Sequence, residues 1–110
     1  MNGKKLNIGL FGFGTVGSGL YDVLKRIGSK NVEIKRICVR DLKKPRDVEA
    51  NFTDKADDIF SDPEVNFIVE LIDDAEAAYT IVKRALMKRL PVVSGNKKML
   101  AHHLEEMIDL

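Results

Sequence analysis

The sequence has few of the residues that mark membrane, disulfide-bonded or strongly charged proteins. It has no tryptophan, and its one cysteine, Cys38, excludes an internal disulfide and fits a reducing compartment. Its 18 lysines and arginines nearly balance 17 aspartates and glutamates, for a formal net charge of +1. That balance does not indicate binding to nucleic acid or to a membrane surface. No run approaches the ~18 apolar residues that a membrane span needs.

The first twenty residues have some features of a secretory signal. Lys4 and Lys5 precede a partly apolar run, but that run holds five glycines and no small-residue cleavage site follows. We therefore expect a cytoplasmic protein. A chain of 110 residues forms one domain at most, and we predict no metal site in it.

The strongest pattern is a run of glycines near the start of the chain. Residues 5–11 are typical of a buried strand, and G-x-G-x-x-G follows at Gly12, Gly14 and Gly17. Gly12 allows a tight turn, Gly14 allows a pyrophosphate to approach the backbone, and Gly17 allows close packing of helix on strand. The predicted pyrophosphate-binding residues are Gly12, Phe13, Gly14, Thr15, Val16 and Gly17.

A helical pattern starts inside this motif. Its predicted buried face consists of Val16, Leu20, Val23, Leu24 and Ile27. Lys25 and Arg26 lie in the last turn, and Gly28 is the predicted C-terminal cap.

Strand and helix patterns alternate along the rest of the chain. Strands are predicted at 32–39, 66–72 and 91–94 with a stub at Phe52, and helices at 54–60, from 73 to about 89 and from Asn96 onward. Asp73 and Glu76 form the predicted cap of the long helix, and the charged segment 42–50 is a predicted loop. This alternation predicts an α/β protein with a Rossmann-type, doubly wound, mostly parallel sheet in a single domain.

Polar residues follow three of the predicted strands. They are the glycine turn, Arg40 with Asp41, and residues 94–97, and in a parallel sheet all three lie at one ligand-binding edge. After the second strand, an acidic residue binds the ribose 2′-hydroxyl of NAD, whereas a basic residue pairs with the 2′-phosphate of NADP. Arg40 and Asp41 indicate different cofactors. Lys43 and Lys44 add positive charge, so the balance favours NADP, with NAD as the alternative.

Lys97 lies between the last predicted strand and the last predicted helix. A lysine at a helix N-terminus can polarise a carbonyl or bind an anionic substrate. By this argument alone, a solvated surface lysine is the simpler interpretation.

Four stretches resemble the N-terminal domain of the homoserine dehydrogenase family. They are residues 8–20 (IGLFGFGTVGSGL), 39–41 (VRD), 69–72 (VELI) and 92–101 (VVSGNKKMLA). The spacing also matches, over nearly the whole chain. The glycine turn is shared with many dehydrogenases, whereas Glu-Leu-Ile followed by Val-Val-x-x-Asn-Lys is more particular to this family. The resemblance implies the NAD(P)-binding domain of an oxidoreductase that interconverts L-homoserine and L-aspartate 4-semialdehyde, a step toward threonine and methionine.

The resemblance also implies roles for single residues and for partners. Arg40 meets the 2′-phosphate, Ser94 belongs to the cofactor site, and Lys97 is the catalytic residue that lines the active site. The family's other catalytic residues lie in a following domain that these 110 residues lack. We therefore expect the chain to bind cofactor without turning over its small-molecule substrate, and the full-length protein to be a homodimer.

Two departures from the family pattern affect the expected site. Asp73 and Asp74 stand where the family has Gly-Gly, and two carboxylates near the nicotinamide ribose would hinder or repel the cofactor. Ser94 and Gly95 replace Thr-Ala, a milder change because the hydroxyl is kept. Two alternatives are a non-enzymatic NAD(P)-sensing module and a related aspartate-family dehydrogenase. Aspartate-semialdehyde dehydrogenases normally need a catalytic cysteine, which Cys38, in an apolar strand, does not match.

Overall fold

A parallel sheet of five strands organises residues 5–96, the part of the chain that the computed structural model describes. In chain order the elements are β1 (Leu6–Phe11), α1 (Thr15–Ile27), β2 (Val32–Cys38), β3 (Phe52–Thr53), α2 (Ala56–Phe60), β4 (Phe67–Glu70), α3 (Ala75–Met87) and β5 (Val92–Ser94). The strand order is β3-β2-β1-β4-β5, and every pair is parallel. This confirms the Rossmann-type prediction. The predicted helix after Asn96 lies outside the described range.

Helices cover both faces of the sheet, as predicted. Side chains of the central strand β1 alternate between the two faces: Ile8 and Leu10 pack with α1, and Phe11 packs with α2 and α3. All three are buried, which is expected of a parallel strand covered on both sides. None of the helices within residues 5–96 is long and apolar enough to cross a membrane.

The charged connection between β2 and β3 contains no helix, which confirms the loop prediction. Val48 and Ala50 pack into the α1 side of the core. The Tyr21 hydroxyl donates a hydrogen bond of 3.1 Å to the carbonyl oxygen of Glu49. The loop therefore covers part of the sheet face where many such folds place a helix, and it leads into the predicted strand stub at Phe52.

The predicted buried face of α1 was partly wrong. Val16 and Ile27 are 66% and 64% exposed, and Val23 is exposed as well. The packed face consists of Gly17, Leu20, Tyr21 and Leu24. The close approach of Gly17 to the turn after β1 explains the difference, because it sets the rotation of the helix about its axis. Successive residues of a helix are rotated by about 100° about its axis, so with Gly17 facing the sheet the side chains of Val16, Val23 and Ile27 face solvent.

The predicted ends of α3 also needed correction. Asp74, not Asp73, is the N-terminal cap: its Oδ1 accepts hydrogen bonds from the backbone N–H groups of Glu76 (2.9 Å) and Ala77 (3.2 Å). These are the two positions that an N-cap side chain reaches. The helix ends at Met87 rather than near Arg89, whose positive φ of 59° turns the chain toward β5.

A methyl group at Gly9 would not fit between β1 and the helices. A Cβ there would overlap Ile59 Cγ2 and come within 3.2 Å of Val65 Cγ1. We expect Gly9→Ala to lower the free energy of unfolding by about 1–3 kcal/mol, measured by urea denaturation. Gly19→Ala is the control, because a Cβ at this position in α1 meets no atom within 4 Å. A Gly9→Ala protein as stable as the Gly19→Ala protein would contradict this packing.

Candidate dinucleotide-binding site

The carboxyl ends of all five strands lie at one edge of the sheet, and the order of connection reverses between β1 and β4. Ligands of open α/β sheets bind in the crevice outside such a reversal. The segments that meet there are the glycine turn after β1, residues 39–41 after β2, residues 71–74 after β4, and residues 95 and 96 after β5. The three predicted polar spots therefore share this edge. Lys97 lies outside the described residues.

Gly12 and Gly17 hold the turn and the helix close to the sheet. Gly12 has φ of +97°, and a Cβ on it would lie 2.8 Å from the carbonyl oxygen of Leu71. A Cβ on Gly17 would lie 2.5 Å from the carbonyl oxygen of Gly12. Neither position tolerates a side chain without backbone movement, which agrees with the roles predicted for these two glycines.

Gly14 is different, because a Cβ on it would meet nothing within 4 Å. Gly14 is the N-cap residue of α1, and as a glycine it has no side chain that could accept from the first-turn N–H groups. The first turn contains no acidic residue, and Thr15 and Val16 are exposed. The N–H groups and the positive dipole end of α1 thus face an open space, and these residues fit a pyrophosphate.

The ring of Phe13 is used for packing. It makes edge-to-face contacts with Tyr21 of α1 and Phe52 of β3, with centroid separations of 5.8 and 5.2 Å. The side chain therefore anchors the glycine turn to both neighbouring elements.

Arg40 and Asp41 differ in how their side chains are held. The Arg40 side chain is 82% exposed beside the glycine turn. The Asp41 carboxylate accepts a hydrogen bond of 2.9 Å from the backbone N–H of Lys43. Arg46 also donates a hydrogen bond of 2.9 Å to the Asp41 carbonyl oxygen. Hydrogen bonds within its own turn thus hold Asp41, whereas the exposed Arg40 side chain lies at the edge of the sheet where the strands end.

Arg40 has a carboxylate neighbour that sequence reasoning missed. Asp74 Oδ2 lies 4.0 Å from Arg40 Nη2, while Asp74 Oδ1 caps α3. The pair joins the exit of β2 to the start of α3, so it spans the glycine turn of the strand between them. Both side chains are largely exposed, so solvent screens their attraction and a ligand can displace it.

Glu70, at the end of β4, is fully buried. Its Oε2 accepts a hydrogen bond of 2.6 Å from the backbone N–H of Ile72, and its Oε1 accepts one from the Ser94 hydroxyl. Burial raises the pKa of the Glu70 carboxyl, and these two hydrogen bonds oppose that shift. The sequence singles out Glu70 only as part of the VELI segment that resembles the family. The available signal was an acidic residue at the end of an otherwise apolar strand.

Ser94, predicted as a cofactor residue, belongs to the same network. Its Oγ also accepts a hydrogen bond of 3.2 Å from the backbone N–H of Asn96. The Asn96 side-chain amide donates one of 2.8 Å to the carbonyl oxygen of Ile72, and the Gly95 N–H donates one of 2.9 Å to the carbonyl oxygen of Glu70. The exits of β4 and β5 are therefore joined directly before Lys97.

Comparison with known proteins gives one consistent family. The family model described as homoserine dehydrogenase, NAD binding domain, matches residues 12–110. The homoserine dehydrogenase of Helicobacter pylori is 34% identical over 111 residues, and that of Methylobacillus glycogenes is 36% identical over 108. These alignments cover 94% and 89% of this chain but 26% of each relative. The chain thus spans about a quarter of the length of these curated relatives.

Solved structures agree. A crystal structure of S. aureus homoserine dehydrogenase superposes with a TM-score of 0.85 at 34% identity, covering 96% of this chain and 29% of that chain. The homoserine dehydrogenase of Thiobacillus denitrificans gives a TM-score of 0.85 at 33% identity, covering 96% and 27%.

The open space around Gly14 gives a test of the site. We expect Gly14→Ala to fold normally and to bind NADH and NADPH at least about tenfold more weakly, because its Cβ would occupy the space of the pyrophosphate. Fluorescence titration measures the affinity, and a thermal melt checks the fold. Gly19→Ala, equally open but inside α1, is the matched control. Unchanged affinity in Gly14→Ala would show that the pyrophosphate does not bind at this turn.

Proposed function

The chain belongs to the family of homoserine dehydrogenase NAD-binding domains, and on that premise we propose that it is the cofactor-binding part of an enzyme that interconverts L-homoserine and L-aspartate 4-semialdehyde. The observation that carries the proposal is the uncapped N-terminus of α1 beside an open Gly14, at the crevice between β1 and β4. This arrangement suits the pyrophosphate of a nicotinamide dinucleotide.

In the proposed function, the described residues bind the cofactor and orient it. The first turn of α1 offers N–H donors and a positive dipole end to the pyrophosphate, and Gly14 leaves room for its approach. Lys97 directly follows Asn96, whose backbone N–H and side chain are held by Ser94 and Ile72. Lys97 places the substrate. When bound, the nicotinamide supplies the hydride chemistry, between its C4 and the C4 of homoserine.

The remaining parts of the enzyme lie outside these residues. The curated relatives are about four times as long as the matched region, and the family's other substrate-binding groups are expected in a following domain. The full-length protein is expected to act as a homodimer on a small-molecule substrate. The expected location is the cytoplasm, where a reducing environment suits the half-buried thiol of Cys38.

For the cofactor we favour NADP over NAD. Arg40 is 82% exposed after β2, where the adenine ribose lies in this fold, and its guanidinium can bind a phosphate through two hydrogen bonds. The Asp41 carboxylate, which would favour NAD, already accepts a backbone hydrogen bond within its turn. Asp74 opposes the preference, since its carboxylate lies beside the same guanidinium.

A parallel titration with NADPH and NADH tests this function and its cofactor preference. Arg40→Ala is expected to weaken NADPH binding by roughly 1.5–3 kcal/mol, because a charge-assisted contact to the 2′-phosphate is lost, and to affect NADH much less. Arg26→Ala, in the last turn of α1, is the charge control. Equal losses for both cofactors would contradict the role of Arg40. No binding of either cofactor by the unaltered chain would refute the proposed function.

In the same titration, Asp74→Asn should tighten NADPH binding by about 0.2–1 kcal/mol, the range of an exposed ion pair. Asparagine keeps the helix cap while removing the charge that faces Arg40. Asp73→Asn makes the same change in charge one residue earlier, at a position that does not cap α3. If both variants gave the same gain, the effect would be general electrostatics and not the pair with Arg40.

The missing part of the active site leads to a second expectation. This chain, mixed with homoserine and NADP, should bind the cofactor and form no NADPH above background, followed by absorbance. Homoserine-dependent formation of NADPH by these 110 residues alone would show that the following domain is not needed.

A further inference from the structure

A buried carboxylate lies between the ends of two strands, at the edge where the cofactor is proposed to bind. In the pairing of β4 with β5, Glu70 lies directly opposite Ser94. Neighbouring residues at paired positions project to the same face of a sheet. The Ser94 hydroxyl donates to Glu70 Oε1, and the Ile72 N–H donates to Glu70 Oε2. Each carboxylate oxygen thus has its own donor.

Stability alone does not explain a carboxylate at this position. A buried charge is costly unless it is paired and hydrogen-bonded, and an apolar side chain of similar volume is often equally stable or better. Among the ion pairs within residues 5–96, none includes Glu70. The buried charge is therefore stabilised by its two hydrogen-bond donors, and the same two hydrogen bonds fix the positions of Ile72 and Ser94.

One donor belongs to the exit of β4, which touches the glycine turn, and the other to the end of β5, whose following residue packs on the β4 exit. A Cβ on Gly95, after β5, would lie 2.9 Å from Leu71 Cδ2, and a Cβ on Gly12 would lie 2.8 Å from the carbonyl oxygen of Leu71. Leu71 is thus packed between the two glycines. Any displacement of the β4 exit would move both its neighbours, and Glu70 is the side chain that ties this exit to Ser94 at the end of β5.

The position of these exits identifies the part of the ligand they would meet. In this fold the adenine ribose lies after β2 and the pyrophosphate lies over the glycine turn. β4 and β5 lie on the other side of β1 from β2. The other end of the dinucleotide, the nicotinamide half, therefore extends over the exits of β4 and β5.

We propose that Glu70 is a positioning residue, whose carboxylate holds the β4 and β5 exits in the arrangement that receives the nicotinamide half of the cofactor. This inference rests on the proposed function. It assigns to Glu70 a role in orienting one half of the ligand, distinct from the binding of the pyrophosphate and the adenine half.

Comparing two ligands tests the inference on this chain. NADPH and 2′-phospho-ADP-ribose share the adenine half and the pyrophosphate, and only NADPH carries nicotinamide. Glu70→Met should weaken NADPH binding by about tenfold and change the affinity for 2′-phospho-ADP-ribose by less than about twofold. Ser94→Ala, which removes one of the two donors, should give a smaller loss with the same selectivity. Glu70→Gln keeps the shape and an acceptor for the Ile72 N–H, so it should restore most of the NADPH affinity.

A control variant and a measurement of amide hydrogen exchange distinguish a local effect of Glu70 from general damage to the fold. Glu64→Gln removes an exposed carboxylate before β4 and should change neither affinity. Amide hydrogen exchange at Ile72 and Asn96 should quicken in Glu70→Met and in Ser94→Ala, while exchange within β1 stays slow. If Glu70→Met does not fold, Ser94→Ala and Glu70→Gln carry the same comparison.

Three outcomes would overturn the inference. Equal losses for the two ligands would mean general damage, and unchanged affinity for both would mean that the network has no role in binding. Equal affinity of the unaltered chain for the two ligands would mean that its exits do not receive the nicotinamide. Failure of the unaltered chain to bind either ligand is a separate result, because it refutes the proposed function itself.

Discussion

The contact between two backbone segments at Gly12 and Gly17 is the constraint on which the site depends. No Cβ fits at either residue, because it would lie 2.8 Å from the Leu71 carbonyl oxygen at Gly12 and 2.5 Å from the Gly12 carbonyl oxygen at Gly17. The contact brings the first turn of α1 against the end of β1 and aims its N–H groups at the edge of the sheet. It also fixes the rotation of the helix, and hence which of its residues are buried.

The acidic groups of the site are oriented by backbone donors. Asp74 accepts from the first turn of α3 with one oxygen and presents the other to Arg40. The Glu70 carboxylate is buried, and it accepts hydrogen bonds from the Ile72 N–H and from the Ser94 hydroxyl. One carboxylate therefore faces the ligand crevice and the other supports it from beneath. The effect of these carboxylates on a ligand depends more on the direction in which each side chain points than on how many carboxylates lie near the crevice.

The sequence predicted the architecture well because its signals are local. An apolar run, a polar or glycine-rich turn and a helical period follow one another in the β-α units, and Gly28 caps the C-terminal end of α1 as predicted. The predictions were wrong or incomplete where contacts between distant parts of the chain determine the structure. The exposed face of α1 follows from the packing of Gly17, and the approach of Asp74 to Arg40 joins segments 34 positions apart along the chain. The network around Glu70 depends on which strands are neighbours, which local patterns do not specify.

The central position of β1 also has a consequence for how the molecule is made. β1 precedes the other four strands of the sheet along the chain, yet it is enclosed on both sides only after β4 exists. Its Asn7 N–H donates to a side chain 59 residues later. Closing so large a loop is entropically costly and makes folding slow. At ribosomal rates of about 5–20 residues per second, an unpaired edge of β1 is exposed for several seconds. During that interval the nascent chain is open to wrong strand pairing, and its need for protection is greatest before any part of the cofactor crevice has formed.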